Sequence, residues 1–281
     1  MPSVVQQSVE QYLRCLDRLL PGRVVGFYVV GSTAQGAYLP GRSDIDYVAV
    51  LRERGGDDLF RRLRMLHLLG GAAGALDAVR AGQGVRTGSR NGIFVAAQDL
   101  TRPASEIAPL ASIVGLNFQR GGHRVNPVDW KLFAEEGLAV RGPAPATLGL
   151  DPEPDRLVAW NRENLESYWR PWARRLTQAP WPCLVRSGYS ASWHVAWGAL
   201  GAPRLHHTIA TGEAVSKEAA GELALDVFPA RWHPLIRHAL AYRRGEPVRL
   251  PVREVDARLR ETAAFVLAVI ESAHELGRSP A

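Results

Sequence analysis

A change of texture near residue 150 sets two different folding problems for one chain. Gly142-Pro143-Ala144-Pro145 and then Asp151-Pro152-Glu153-Pro154 punctuate the sequence heavily, and such clusters interrupt helices and strands alike. Before them, helical and extended patterns alternate. Val4 to Leu20 places Val5, Val9, Tyr12, Leu13 and Leu16 at helical spacing, and Pro21-Gly22 stops the helix. Val24 to Val30 is too short and too apolar for a surface helix, so it reads as a buried strand. A glycine-serine turn and a short helix follow, then a strand over Ile45–Leu51 and a helix over Asp57–Arg80, weakened by Gly70, Gly71 and Gly74. Asn91–Ala97 reads as a third strand, Val128–Glu136 as a short helix and Leu138–Arg141 as a possible strand. After the prolines, Leu157–Leu176, Ser192–Ala210, Lys217–Val227, Trp232–Arg244 and Val255–Leu276 all carry helical periodicity, and no strand is convincing. The expectation is an α/β domain over residues 1–150, a small mixed sheet flanked by helices, followed by an all-α helical bundle over 151–281.

Composition narrows the class. A hydrophobic fraction of 46% and a charged fraction of 22% are those of an ordinary globular protein. No secretory signal or membrane-spanning run is evident, so the expected location is cytoplasmic, with no membrane partner. Cys15 and Cys183 fit no metal or redox spacing and are expected to be two buried thiols. The net charge of +6 does not point to nucleic acid. Lys131 and Lys217 are the only lysines, the arginines are scattered, and no dense basic run is interleaved with aromatics.

The chemistry concentrates in Gly31-Ser32-Thr33-Ala34-Gln35-Gly36, then Gly41-Arg42-Ser43-Asp44-Ile45-Asp46. Gly31 directly follows a buried strand, so uncovered N–H groups at the next helix start, with the Ser32 hydroxyl, form an anion site. Gly36 is expected to allow close approach of the backbone to a ligand or strand. Asp44 and Asp46 are two apart at a strand start, so their carboxylates leave the same face. Converging carboxylates repel unless a cation or protons intervene. Mg²⁺ suits such a pair, because it takes one or two carboxylates and completes its octahedron with water and substrate phosphates.

This segment resembles the signature of the polymerase-beta-like nucleotidyltransferase superfamily. The resemblance implies that Gly31 and Ser32 bind the phosphates of ATP, and that Asp44 and Asp46 hold Mg²⁺ and are catalytic. The helical half is similar to the C-terminal domain of the streptomycin/spectinomycin adenylyltransferases. That likeness runs through Pro203–Gly212, Ser216–Ala220 and Phe228–Pro234. It implies that Arg204 and Lys217 reach the ATP phosphates, Lys217 as a point charge and Arg204 able to bind two oxygens at once. The implied reaction moves AMP from ATP to a hydroxyl of a small molecule, in a site between the two domains of a monomer.

Two departures from that family matter. Its general base, a glutamate that begins the third strand, is matched here by Asn91, which cannot accept a proton near neutral pH. The Asn91 carbonyl could instead contact the metal or a substrate hydroxyl. The family's streptomycin contacts are acidic and histidine side chains on the helix before the arginine. They are matched by Ser190, His194 and Trp197, which with Tyr189 and Trp193 make an aromatic face. That face is either a wall of the acceptor pocket or core. Acidic and basic residues nearly balance in this half, so it is no acidic trap for a polycation. A spectinomycin-type aminocyclitol is easier to reconcile with it than streptomycin. The alternatives are a nucleotide-binding protein with weak or no transferase activity, and nucleotidylation of a different metabolite or a macromolecule.

Overall fold

In the computed structural model, residues 1–40, 42–80, 90–115, 117–122, 125–178 and 188–276 are described, the side chains of 69–80 and 188–189 excepted. The chain divides into two compact units, Met1–Pro154 and Asp155–Ala281.

The first unit is built on a six-stranded sheet. Its strands are β1 (Val24–Val30), β2 (Ile45–Leu51), β3 (Arg90–Ala96), β4 (Ala111–Val114), β5 (Asn117–Arg120) and β6 (Leu138–Arg141), in the order β5-β4-β3-β2-β1-β6. Only β2 and β3 run parallel, and the other neighbours are antiparallel. Helix α1 (Ser3–Leu19) buries Val5, Val9, Tyr12, Leu13 and Leu16, the stripe its periodicity predicts. The one-turn α2 (Gly31–Ala34) follows β1, α3 (Asp57–Arg80) follows β2, and α4 (Pro127–Glu136) precedes β6. The α4 N-terminus is capped by the Asn126 side chain, which accepts from the Asp129 N–H at 2.9 Å, with Pro127 in the first turn.

Because side chains alternate along a strand, the sheet makes two cores. Phe27, Val29, Ile45, Tyr47, Ala49 and Phe94 pack with α1 and α3. Tyr28, Val48, Val50 and Val95 pack with Trp130 and Phe133 of α4. The same alternation assigns Asp46 of β2 and Asn91 of β3 to the α4 face, and sends Tyr47, Arg90 and Gly92 to the α1 face.

The second unit contains helices and no strand among its described residues. It comprises α5 (Leu157–Asn164), α6 (Arg170–Thr177), α7 (Gly188–Thr211), α8 (Lys217–Val227), α9 (His233–Arg243) and α10 (Val255–Glu275). Ile236, Ala239, Leu259, Ala263, Val266 and Val269 are completely buried in its core. Gly212, at φ +77°, ends α7, with its N–H bonded to the Thr208 carbonyl at 2.8 Å.

Three expectations need correction. Strands β4 and β5 were not legible, since each is four residues long and shows no run of alternation. The expected single helix over Leu157–Leu176 is interrupted by a π-helical stretch, Leu165–Trp169. Pro171 accounts for it: its ring would strike the Ser167 carbonyl and it has no N–H to give, and widening the turn relieves both. Cys15 is half-buried and reduced rather than buried, and Cys183 lies outside the described residues.

Candidate active site

In the first unit the candidate residues gather where β1 ends and β2 and β3 begin. Val30 is paired with Asp46 across the antiparallel β1–β2 ladder, and Asp46 with Asn91 across the parallel β2–β3 ladder. Gly31 leaves β1 at φ +64°, a left-handed conformation that favours glycine. A Cβ at Gly31 would lie 2.5 Å from Asp46 Oδ2. The turn and the second carboxylate, fifteen positions apart in sequence, are therefore in direct contact.

Gly36 is different from expectation. It has φ +68°, but an added Cβ there would meet nothing within 4 Å. Glycine is needed for its backbone angle and not for a close approach. The α2 helix is also shorter than an extended dipole needs, at four residues. Its attraction for an anion therefore rests on local N–H groups and the Ser32 hydroxyl, and not on a macrodipole. The Ser32 carbonyl accepts from the Ala37 N–H at 2.8 Å, which closes the turn.

The loop into β2 is fastened by Ser43, a buried residue whose hydroxyl accepts from the Leu39 N–H at 3.0 Å. The Ser43 N–H in turn donates to the Leu39 carbonyl at 2.9 Å. This clamp presents the exposed Asp44 at the mouth of the strand. Tyr38, from the same loop, has its phenol pKa raised, mainly by burial and further by the Asp44 carboxylate. Sequence reasoning missed Tyr38, and only its place between the glycine turn and Ser43 could have suggested it.

Asp44 and Asp46 converge rather than splay. The Asn91 carboxamide nitrogen donates to Asp44 Oδ2 at 3.1 Å and lies 3.4 Å from Asp46 Oδ1. Asn91 Oδ1 accepts from the Gly115 N–H at 2.8 Å. Carboxylates only accept and a backbone N–H only donates, so this network fixes which end of the amide points where. The expectation that the Asn91 carbonyl faces the metal or a substrate hydroxyl is thus corrected. The carbonyl is turned to the β4–β5 turn, and the amide N–H groups face the acids.

The donor set at this point consists of hard carboxylate oxygens from Asp44 and Asp46. Among the described residues no group of three or more His, Cys, Asp or Glu side chains is placed to hold a metal ion. A divalent cation held here would draw on two carboxylates and complete its shell with water or phosphate oxygens, the arrangement a small hard ion accepts.

The second unit carries its own cluster. Lys217 is the first residue of α8, behind an N-cap in which Ser216 Oγ accepts from the Ala219 N–H at 3.1 Å. Its ammonium sits 4.4 Å from the centroid of the Trp197 ring, a cation–π contact. Arg204 donates through Nε to the Val215 carbonyl at 2.9 Å, so the loop before Lys217 is fastened to α7 beside it. Trp197 is stacked on Trp193, with ring centroids 5.4 Å apart and planes 14° from parallel. Its Nε1 donates to the Tyr168 hydroxyl at 3.0 Å. His194 Nδ1 lies 2.8 Å from the Ser190 carbonyl, one turn back. Trp193, His194 and Trp197 are half-buried, with the two tryptophans resting on the core. The side chain of Tyr189 lies outside the described residues. Tyr168, part of the π-helical stretch and 39% exposed, was not foreseen as part of this face.

The mixed sheet with paired aspartates beside a glycine turn, in one unit, and the helical second unit fit the two-part organisation that the sequence resemblance implies. Residues 9–75 match the family model described as "Nucleotidyltransferase domain". Residues 196–269 match "Aminoglycoside adenylyltransferase, C-terminal domain". One match thus falls in each unit, so the likeness to the aminoglycoside adenylyltransferases extends to both. Among solved structures the chain is similar to spectinomycin adenyltransferase AAD(9) from Enterococcus faecialis, crystallised with ATP and spectinomycin. The TM-score is 0.64 at 14% identity, over 95% of this chain and 99% of that one. No curated protein sequence matches the chain. Among the described residues no helix is long and apolar enough to cross a membrane.

Proposed function

We propose that the chain is an adenylyltransferase that transfers AMP from ATP to a hydroxyl of a small aminocyclitol-like acceptor of the spectinomycin kind. The observation that carries this reading is the convergence of Asp44 and Asp46 on one atom, in contact with the Gly31 turn. In this reading Gly31 and Ser32 hold the triphosphate of ATP, and Asp44 and Asp46 hold Mg²⁺. The bound ion supplies charge neutralisation on the transferred phosphoryl group. Arg204 and Lys217 balance the remaining phosphate charge. The acceptor oxygen attacks the α-phosphorus as the bond to the β-phosphate breaks, and pyrophosphate leaves. Asn91 cannot take the hydroxyl proton, so it passes to water or to an amine of the acceptor itself. Trp193, His194 and Trp197, with Tyr189, are assigned to the acceptor as an aromatic wall. The spectinomycin-bound relative of the same fold supports an acceptor of this class.

A second reading, a nucleotide-binding protein with little turnover, is favoured by the Asn91 amide facing the carboxylates. One experiment separates the two. Purified protein is incubated with ATP, Mg²⁺ and a panel of aminocyclitols and aminoglycosides, following pyrophosphate release and product mass. The transferase reading expects a product heavier by one AMP, and a loss of about 10³-fold or more in Asp44→Asn and Asp46→Asn. ATP binding without any product would favour the second reading, and turnover appearing in Asn91→Glu would identify the absent base as the cause.

A further inference from the structure

The amide of Asn91 occupies a position with an unusual charge logic. Two carboxylates that face one another need positive charge between them. Here a partly positive amide nitrogen supplies it, 3.1 Å from Asp44 Oδ2 and 3.4 Å from Asp46 Oδ1. An –NH₂ group has two hydrogens, one for each acid. It cannot turn over to offer its oxygen instead. A flip would set that oxygen against two carboxylates and the –NH₂ against the Gly115 N–H, which now donates to Asn91 Oδ1 at 2.8 Å.

We propose that the Asn91 carboxamide is a built-in competitor for the divalent cation, holding the carboxylates together and tying their occupancy to the β4–β5 turn. The inference rests on the metal reading of Asp44 and Asp46 given above. A cation and an amide hydrogen seek the same carboxylate lone pairs, so the ion binds by displacing the amide. Once displaced, the amide can no longer keep its geometry toward Gly115, and the turn between β4 (Ala111–Val114) and β5 (Asn117–Arg120) is released. Asn91 acts on the reaction through the acids and the turn, as a positioning residue.

The test is Mn²⁺ binding to the full chain, without nucleotide, read from the electron paramagnetic resonance of free Mn²⁺. Asn91→Ala removes the competitor and is expected to bind roughly ten-fold tighter than wild type, the order set by surrendering charge-assisted hydrogen bonds. Asn91→Asp keeps the shape and the acceptor for Gly115 while adding a third carboxylate, and is expected to bind tighter still. Equal or weaker binding in Asn91→Ala would overturn the inference while leaving the metal site standing. No Mn²⁺ binding in wild type or either variant would remove the metal reading itself, and the inference with it. A measurement without variants runs beside this one. Mg²⁺ is expected to speed hydrogen exchange in the 111–120 segment of wild type, and unchanged exchange there would also overturn the proposal.

Discussion

Replacing Gly31 by alanine tests whether the glycine turn and the second carboxylate are one device. Two costs can be separated. Alanine at φ +64° must adopt a left-handed conformation, at about 1–2 kcal/mol. Its Cβ must also lie 2.5 Å from Asp46 Oδ2, closer than atoms can sit, and at a tight 3.2 Å from Asp46 Cβ. Forcing extra volume into such a contact costs about 1–3 kcal/mol. Gly36→Ala is the matched control, because Gly36 has φ +68° and nothing within 4 Å of an added Cβ. It carries the first cost without the second.

In a unit of this size each kcal/mol lowers the melting temperature by about 2–4 °C. Gly31→Ala is therefore expected to fall by roughly 5–15 °C, and Gly36→Ala by about half as much or less. The activities should part further. Relief of the contact moves Asp46, and a shift approaching 1 Å in a positioning group costs on the order of 10²-fold in rate. The assays are near-ultraviolet circular dichroism melts, Mn²⁺ titration and pyrophosphate release. If the two variants melt alike and bind Mn²⁺ like wild type, Asp46 is not held against the turn and the reasoning fails.

Two further expectations concern other parts of the molecule. The Asp17 carboxyl has its pKa lowered, first by its hydrogen bonds to Arg141, which donates from both terminal nitrogens at 2.6 and 2.7 Å. A depressed folded-state pKa gives stability that is present above the unfolded value, near pH 4, and is lost as pH falls through the folded value. Both side chains are a third to a half exposed, so the pair is worth less than about 1 kcal/mol. The difference in melting temperature between wild type and Arg141→Ala should shrink as pH drops from 7 to 3, and a difference that grows would contradict the assignment. In the second unit, Trp197→Ala frees the Lys217 ammonium from its ring contact and is expected to weaken ATP binding about three- to ten-fold by calorimetry. Trp197→Phe should keep most of the affinity, and equal losses in both would show that the ring does not position Lys217.

The parts of this fold legible in the sequence are those with long, self-sufficient patterns. The seven residues of β1 and of β2 announce themselves because nearly every position is buried, and α1 because its apolar stripe is regular. Strands β4 and β5 owe their existence to pairing: Gly92 opposite Ile113, and Ile113 opposite Phe118. No four-residue segment advertises such partners. The helix break at Leu165–Trp169 was written in Pro171, two residues past its end, but its width was not. At the site, the spacing of Asp44 and Asp46 predicted a shared face, and their convergence on the Asn91 nitrogen agrees with that prediction. The direction of the Asn91 amide could not be read, because it depends on a backbone N–H twenty-four residues onward at Gly115. Likewise Lys217 and Trp197 lie on different helices, and only the folded unit brings ammonium to ring.

What holds Asp46 and Asn91 at their spacing lies on the opposite face of the sheet. Tyr47 and Gly92, the next residues on each strand, are paired across the β2–β3 ladder, and a Cβ at Gly92 would lie 2.4 Å from the Tyr47 ring. The Tyr47 ring can therefore lie flat over the neighbouring strand. It stacks on Phe27 of β1 at 5.0 Å and 18°, and its hydroxyl meets that of Tyr12 at 2.9 Å. Burial raises both phenols, Tyr12 to about 12 and Tyr47 well above the usual phenol value, so this hydroxyl pair stays protonated over the whole working range of pH. A three-strand clamp of β1, β2 and β3 is thus fixed from below by aromatic packing that does not titrate. Alternation along each strand then delivers its geometry to the polar side. A pair of acids that repel each other needs such an external constraint if it is to remain ready for a cation. In this chain the hydrophobic core of the first unit fixes the strands that carry Asp46 and Asn91, and the Asn91 amide links them to Asp44.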